Sequence, residues 1–242
     1  MIFSMICALS SKKEPKLPEM ELTEEEITQR LEAIHAKLDF VHGSIDDELP
    51  EQRMAVRFLK GTEKVLELGG NVGRNSCIIA SILNEKNNWD YVVLESDSTI
   101  AAKLDENRQR NSLSFYVEPY ALSVRPLVQS YWYTHAKTGD ETADWQDIAT
   151  ITYKDLQEKY AIPFDTLIID CEGCFYPILR DMPEIMEHVN LVLVENDYTE
   201  LTQKFYVESE LKKRGFSCVY SEGNGFYEAW KKVDCSPPSL PS

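Results

Sequence analysis

Short apolar runs alternate along most of the chain with longer stretches in which apolar residues recur at helical spacing. Runs of the first kind predict strands at residues 64–68, 91–95, 115–121, 166–170 and 191–195. Stretches of the second kind predict helices at residues 74–83, 98–110, 153–160, 176–188 and 202–214. Such alternation predicts a mostly parallel α/β sheet with helices on both faces.

The two ends of this pattern differ from its middle. Thr23 and Glu26 have the spacing of a capping box, and apolar residues follow at helical spacing from Ile27 to Leu38. We expect an amphipathic helix that packs on the domain or against a partner, and a second helix at residues 51–59. Near the other end, residues 216–221 and 226–231 flank a Gly/Asn turn, which predicts a hairpin and one antiparallel strand.

These patterns divide the chain into four parts. We predict a disordered tail at residues 1–20, a helical extension at 21–60, the α/β domain at 61–234 and a flexible tail at 235–242. Residues 128–147 fit no regular element, and we expect an inserted strand and loop there.

Composition excludes several classes of partner. The chain has 242 residues and a formal net charge of −16, with no basic cluster, so we predict no binding to nucleic acid. No apolar run approaches the roughly 20 residues of a membrane span. The six cysteines are too scattered for a disulfide scaffold, which favours a cytoplasmic location. The pattern leaves the oligomeric state open.

A glycine-rich turn follows the first predicted strand. Its spacing is Glu67-x-Gly69-x-x-x-Gly73, with Gly70 and Asn71 between the outer glycines. Glycine suits positions where the backbone has positive φ or where a ligand approaches closely. Dinucleotide sites instead carry Gly-x-Gly-x-x-Gly around a pyrophosphate. The difference indicates S-adenosylmethionine, which has no phosphate, and we assign all five residues to its binding.

A second carboxylate ends the next predicted strand. Glu95 stands 22 residues beyond Gly73, where a carboxylate accepts hydrogen bonds from both ribose hydroxyls of an adenosine ligand. We add Ser96 to the cofactor contacts, although Ser96 and Asp97 are also suited to cap the following helix. The two roles are compatible.

Two later strands also end in carboxylates. Residues 166–169 lead into Asp170-Cys-Glu-Gly173, and residues 191–194 lead into Glu195-Asn-Asp197. In an open parallel sheet, ligands bind at the carboxyl ends of the strands. Asp170 is therefore expected beside the glycine turn, as a further cofactor contact.

Several of these motifs together resemble the FkbM family of S-adenosylmethionine-dependent methyltransferases. They are the glycine turn, the stretch Tyr120-Ala-Leu-Ser123, the stretch Ile151-Thr-Tyr-Lys-Asp-Leu156 and Asp170-Cys-Glu-Gly173. The resemblance implies a Rossmann-like class I methyltransferase sheet over residues 61–234, and we count Ala121 among the cofactor contacts. It also implies O-methylation of a hydroxyl on a sugar, glycan or small natural product.

The chain departs from the family pattern at two places. Members usually carry Asp at the position of Glu67, which we expect to hold the methionine end of the cofactor. Members also usually have an acidic residue shortly after the Asp-x-Glu-Gly glycine, where this chain has Phe175 and Tyr176. The second departure concerns the acceptor side of the site.

Methyl transfer to a hydroxyl calls for a group that removes its proton. Asp170 is the leading candidate, with Glu172 beside it and His135 as an alternative. We assign no metal ligands. A divalent cation gathered by the carboxylates of the two strand ends (Asp170, Glu172, Glu195 and Asp197) is a less favoured alternative.

Other interpretations use the same residues differently. Cys171 and Cys174 form a Cys-x-x-Cys motif at a strand-to-helix junction, the setting of a thiol redox enzyme. A second alternative interpretation is a methyltransferase-like module that binds its cofactor without catalysis. An NAD-dependent enzyme ranks below both, because the glycine spacing does not fit.

Overall fold

The computed structural model describes residues 22–233. The tails predicted at residues 1–20 and 235–242 lie outside the described residues. The helices are α1 Glu24–His35, α2 Leu49–Phe58, α3 Arg74–Asn84, α4 Ser98–Arg110, α5 Tyr153–Tyr160, α6 Phe175–Asp181 and α7 Leu201–Lys213. The strands are β1 Val65–Leu68, β2 Tyr91–Leu94, β3 Tyr116–Glu118, β4 Ala121–Leu122, β5 Leu127–Ser130, β6 Tyr133–Ala136, β7 Gln146–Ile148, β8 Thr150–Ile151, β9 Thr166–Ile169, β10 Leu191–Glu195, β11 Phe216–Glu222 and β12 Tyr227–Lys232.

Seven strands form the central sheet, in the order β11-β12-β10-β9-β1-β2-β3. Strands β3, β2, β1, β9 and β10 are parallel, and β12 is antiparallel to both of its neighbours. This arrangement confirms the predicted α/β sheet with an antiparallel C-terminal hairpin. The strand order reverses between β1 and β9, so a crevice opens at their carboxyl ends.

The sheet is covered on both faces. One core packs β9 and β10 against α5, α6 and α7, through residues such as Phe164, Phe175 and Leu211. The other packs β1 and β2 against α3 and the N-terminal helices, with Ile27 and Leu31 of α1 fully or almost fully buried. The N-terminal helices therefore pack on the domain. The predicted capping box is present, because Thr23 and Glu26 bond reciprocally at the start of α1.

Three segments differ from the sequence prediction. The strand expected at residues 115–121 is two strands, because Pro119 interrupts it and β4 pairs with β8 in a separate small sheet. The helix expected at residues 176–188 ends at Asp181, and Pro183 begins a 3₁₀ turn instead. Residues 127–148 form a three-stranded antiparallel sheet, β6-β5-β7, where one strand and a loop were expected.

Among the helices that the structure describes, none is both long enough and apolar enough to cross a membrane.

Candidate functional site

A cavity of about 140 Å³ opens at the carboxyl ends of β1, β2 and β9, at the point where the strand order reverses. Its walls come from the glycine turn, from the ends of β2 and β9, and from the β5–β6 hairpin that closes over them. The cofactor residues that it brings together are Gly69, Asn71, Glu95, Ser96, Ala121 and Asp170. The three-stranded insertion contributes lining residues that the sequence did not predict, including Gln129 and Trp132.

The backbone N–H groups of the glycine turn are all hydrogen-bonded within the protein. The five backbone N–H groups of residues 69–73 all donate within the protein, to Leu94 O (twice), Glu95 Oε2, Asn71 Oδ1 and Gly70 O. A phosphate site at a helix N-terminus requires such donors to point at the ligand. This turn therefore lacks the donors of a pyrophosphate cradle.

Packing and backbone conformation explain the glycines. Gly69 has φ +92°, and a Cβ there would lie 1.5 Å from the backbone oxygen of Asp170. A Cβ on Gly70 would lie 2.3 Å from Val93 Cγ1. Gly73, with φ +90°, precedes the first residue of α3. Gly70 and Gly73 are buried and do not line the cavity, so they shape the turn that places Asn71 at its wall.

Glu95 is held in place by the backbone. Its Oε2 accepts a hydrogen bond from Asn71 N at 2.8 Å, and its Oε1 accepts one from Asp97 N at 2.9 Å. Only 7% of the residue is exposed, and burial raises the pKa of its carboxyl group. Each carboxylate oxygen has two acceptor positions, so both keep one for a ligand. Asp97 caps α4 through Thr99 N and Ile100 N, which leaves Glu95 free of that role.

Glu67 does not reach this cavity. Along β1 it lies on the same face as Val65, toward α3, and it is 2% exposed. Its Oε2 accepts hydrogen bonds from Ser76 Oγ at 2.6 Å and from the Tyr91 hydroxyl. Burial is the main cause that raises the pKa of Glu67 to about 7. The predicted contact of Glu67 with the methionine end of a cofactor finds no geometric support here.

The three candidate bases lie in different places. Asp170 lines the first cavity. His135 lies on exposed β6, contacts Trp145 edge-on with 4.3 Å between ring centroids, and lines a second cavity of about 340 Å³. Glu172 has φ +52° and lines both cavities. The cavities adjoin along a common wall formed by Leu122, Leu127, Thr134, Cys171, Glu172 and Cys174.

The carboxyl groups at the ends of β9 and β10 separate into two clusters. Glu172 lies near Asp197, and burial together with that neighbour raises the pKa of Glu172. Asp197 also accepts a hydrogen bond from Gly173 N at 2.7 Å. Asp170 faces Glu195 instead, and burial followed by the Glu195 charge raises the pKa of Asp170 well above its usual range. One common cluster of all four groups, as a shared cation would require, is not formed.

Cys171 and Cys174 are joined by a disulfide between β9 and α6. The bonded pair contributes to the wall shared by the two cavities. The sequence indicated a thiol pair here as the motif of a redox enzyme but offered no reason to expect a structural link. The bond restrains the loop that carries Glu172.

No family model matches the chain, and no curated protein matches it. The resemblance to the FkbM family therefore stays a prediction. Solved structures do match, and we describe three.

One is an O-methyltransferase from Bacillus cereus in complex with SAH, 14% identical over 86% of this chain and 90% of that one, with a TM-score of 0.46. Another is a cofactor-bound protein from MTB, 14% identical over 87% of this chain and 90% of that one, with a TM-score of 0.47. The third is a fibrillarin/Nop5p complex, 14% identical over 80% of this chain and 92% of that one, with a TM-score of 0.46. At this level of similarity, no activity carries over to this chain.

Proposed function

We propose that this chain is an S-adenosylmethionine-dependent methyltransferase. The observation that carries the proposal is the acidic lining of the first cavity, which includes the carboxyl groups of Glu95, Asp170 and Glu172 and no lysine or arginine among the described residues. Such a wall attracts a cationic sulfonium ligand and repels a pyrophosphate. The internally bonded amides of residues 69–73 favour the same choice, because they offer a phosphate no donors.

Glu95 binds the ribose in this proposal. Its two oxygens are fixed by Asn71 N and Asp97 N, and each retains an acceptor position for one ribose hydroxyl. The cavity of about 140 Å³ is smaller than the roughly 300–1,000 Å³ usual for ligand sites. We therefore expect the β5–β6 hairpin, whose Trp132 is 54% exposed at the cavity, to move outward when the cofactor binds.

The second cavity holds the methyl acceptor in this proposal. It adjoins the first cavity, and its lining combines aromatic rings (Tyr133 and Tyr176) with the carboxyl groups of Glu172 and Asp197. Its arginine, Arg125, is paired with Asp181 at 2.7 Å. Aromatic faces with carboxyl acceptors suit an uncharged hydroxylated ring. This favours a sugar, glycan or small natural product, in line with the resemblance to FkbM enzymes.

Glu172 is the base that the geometry favours, because it is the one of the three candidates that lines both cavities. The cofactor, when bound, supplies an activated methyl group on a positively charged sulfur. The Glu172 carboxylate accepts the proton of the acceptor hydroxyl as the oxygen takes the methyl group. The products are a methyl ether and the neutral thioether S-adenosylhomocysteine. Glu172 has a raised pKa, which makes it a stronger base than a solvated carboxylate.

The experiment that tests this function combines cofactor titration with a transfer assay. Calorimetry of S-adenosylhomocysteine with the full chain should show one site, and Glu95→Gln should weaken it by about 10- to 100-fold through loss of a charged acceptor. The matched control is Glu118→Gln. Glu118 is a buried carboxylate at the end of the neighbouring strand β3, but it pairs with Lys159 and does not line the cavity.

The transfer assay uses cofactor labelled in the methyl group and a panel of free sugars, glycans and hydroxylated natural products. Label should move to an acceptor in the unmodified protein, and Glu172→Gln should slow transfer while cofactor binding persists. Cofactor binding without transfer to any acceptor would identify the non-catalytic module instead. Absence of cofactor binding would refute both.

A second candidate function is thiol–disulfide exchange, and the specific observation in its favour is the Cys171–Cys174 bond. Reduction by a dithiol would break this bond and form two thiols, with the dithiol oxidised to its own disulfide. Catalysed exchange between a dithiol and a small-molecule disulfide, in which the added disulfide reoxidises the Cys171–Cys174 pair and is itself reduced to thiols, would favour this activity if Cys171→Ser abolished it. The disulfide would also be unusual in a reducing cytoplasm, the compartment that we propose from the scattered cysteines.

A further inference from the structure

Three carboxyl groups from distant parts of the chain meet beside the first cavity. Glu51 lies in the first turn of α2, Asp170 follows β9 and Glu195 ends β10. One oxygen atom of each lies within 4.8 Å of the other two. The register explains the meeting: β9 and β10 are parallel neighbours, and Ile168 and Leu193 on the same face belong to the core that α2 covers.

No positive charge of the described residues compensates this acidic triad of Glu51, Asp170 and Glu195. None of the ion pairs between described side chains includes any of its members. Arg74 is held by Glu48 at 2.8 Å and by Asp47 at 3.3 Å. A buried carboxylate without a partner is costly, so the carboxyl group of Glu51, the buried member of the triad, must hold a proton or face a cation.

The burial and hydrogen bonding of Glu51 are an independent indication that this cluster holds a ligand. The residue is 6% exposed, and its Oε2 is shielded from water while receiving no hydrogen bond from any N–H or hydroxyl of the described residues. The other buried glutamates at comparable positions are satisfied: Glu67 by Ser76 and Tyr91, and Glu228 by Lys204 and Trp230. The Oε2 atom of Glu51 is thus a buried acceptor without a hydrogen-bond donor, within the triad.

We propose that Glu51, Asp170 and Glu195 bind one divalent cation, which links helix α2 to the ends of β9 and β10. The cation is of the class that prefers oxygen ligands, such as Mg²⁺, Mn²⁺ or Ca²⁺, because no histidine or cysteine of the described residues joins the cluster. Its charge of +2 offsets most of the −3 of the ionised triad. The proposal does not depend on methyl transfer, because it concerns the protein without cofactor.

This site differs from the cation site considered from sequence. That alternative joined Asp170 and Glu195 to Glu172 and Asp197, which interact with each other and are not part of the triad. The third ligand is Glu51, from a helix more than 100 residues away from Asp170 along the chain. The N-terminal extension thereby contributes a charged group to the edge of the cofactor cavity, which Asp170 also lines.

The test titrates Mn²⁺ into chelator-treated full chain without cofactor, followed by electron paramagnetic resonance of free Mn²⁺ and by calorimetry. We expect one site per chain in the unmodified protein. Changes even to groups around metal ligands cost about 10- to 100-fold in affinity, so Glu51→Gln should weaken binding at least about tenfold. The control Glu228→Gln removes a buried carboxylate that pairs with Lys204 and should leave binding unchanged.

Two results would overturn the proposal: no saturable Mn²⁺ site in the folded protein, or unchanged affinity in folded Glu51→Gln. Circular dichroism checks each variant for folding. If Glu51→Gln does not fold, Glu195→Gln decides in its place, because Glu195 is only partly buried at a strand end. Failure to bind S-adenosylhomocysteine would refute the proposed function and leave the cation result intact.

Discussion

Glu67 offers a stability test whose magnitude follows from the structure. The carboxyl group is buried between β1 and α3, and burial raises its pKa from 4.5 to about 7. Because the folded-state pKa is higher than the unfolded one, the folded protein binds this proton more tightly. Stability therefore falls as the pH rises from about 4.5, and the loss is complete somewhat above pH 7.

The expected loss is about 3 kcal/mol between about pH 4.5 and pH 8, from about 1.36 kcal/mol for each pKa unit. The side chain introduced by Glu67→Gln does not titrate, and its amide oxygen still accepts from Ser76 and Tyr91. The two proteins should thus have similar stability at low pH. By about pH 8 the variant should be the more stable by about 3 kcal/mol.

The assay is urea unfolding of both proteins across this pH range, followed by tryptophan fluorescence. Other titrating groups, including the acidic triad, contribute equally to both proteins and cancel in the difference. The control Glu32→Gln changes an exposed residue of α1 and should leave the pH profile unchanged. A difference between Glu67→Gln and the unmodified protein that stays constant with pH would refute the reasoning.

Three further predictions test the turn, the N-terminal helix and the disulfide. In urea unfolding, Gly69→Ala should destabilise the protein by at least about 2 kcal/mol more than Gly139→Ala. The two glycines have similar φ values (+92° and +95°), but only at Gly69 would a Cβ lie within 4 Å of other atoms. Equal losses of stability in the two variants would contradict this reasoning. Thr23→Ala should cost about 1 kcal/mol through the lost cap of α1, and no change would mean that α1 adds little to stability. Peptide mapping without reductant should recover Cys171 and Cys174 in one linked peptide, whereas alkylation of both thiols before reduction would contradict the bond.

Periodicity predicted the central sheet because its strands and helices have strong local patterns. Strands β1, β2, β9 and β10 are mostly apolar runs, and each begins and ends within one residue of its predicted limits. At residues 128–147 one inserted strand and a loop were predicted. The three-stranded sheet found at residues 127–148 was not predicted, because its strands are short and largely exposed, so polar and apolar residues do not alternate clearly.

In the candidate site too, the sequence identified residues that have a local signal, but not the position of residues that depends on packing. Glu95 and Asp170 were found because a carboxylate at the end of an apolar run is a local signal, and both line the cavity. Glu67 was misplaced because a strand buried on both faces shows no alternation that would reveal which side its carboxylate faces. The contact of Glu51 with Asp170 depends on how α2 packs across the sheet, which no local pattern records.

The choice of S-adenosylmethionine over a phosphate-bearing ligand is decided by calorimetric titration of the full chain with S-adenosylhomocysteine, beside parallel titrations with NAD⁺ and ATP. The acidic cavity and the internally bonded turn predict saturable binding of S-adenosylhomocysteine at one site, weakened by Glu95→Gln, and no binding of the two phosphate-bearing ligands. Binding of NAD⁺ or ATP at this site, or S-adenosylhomocysteine binding that Glu95→Gln leaves unchanged, would contradict the assignment of this cavity.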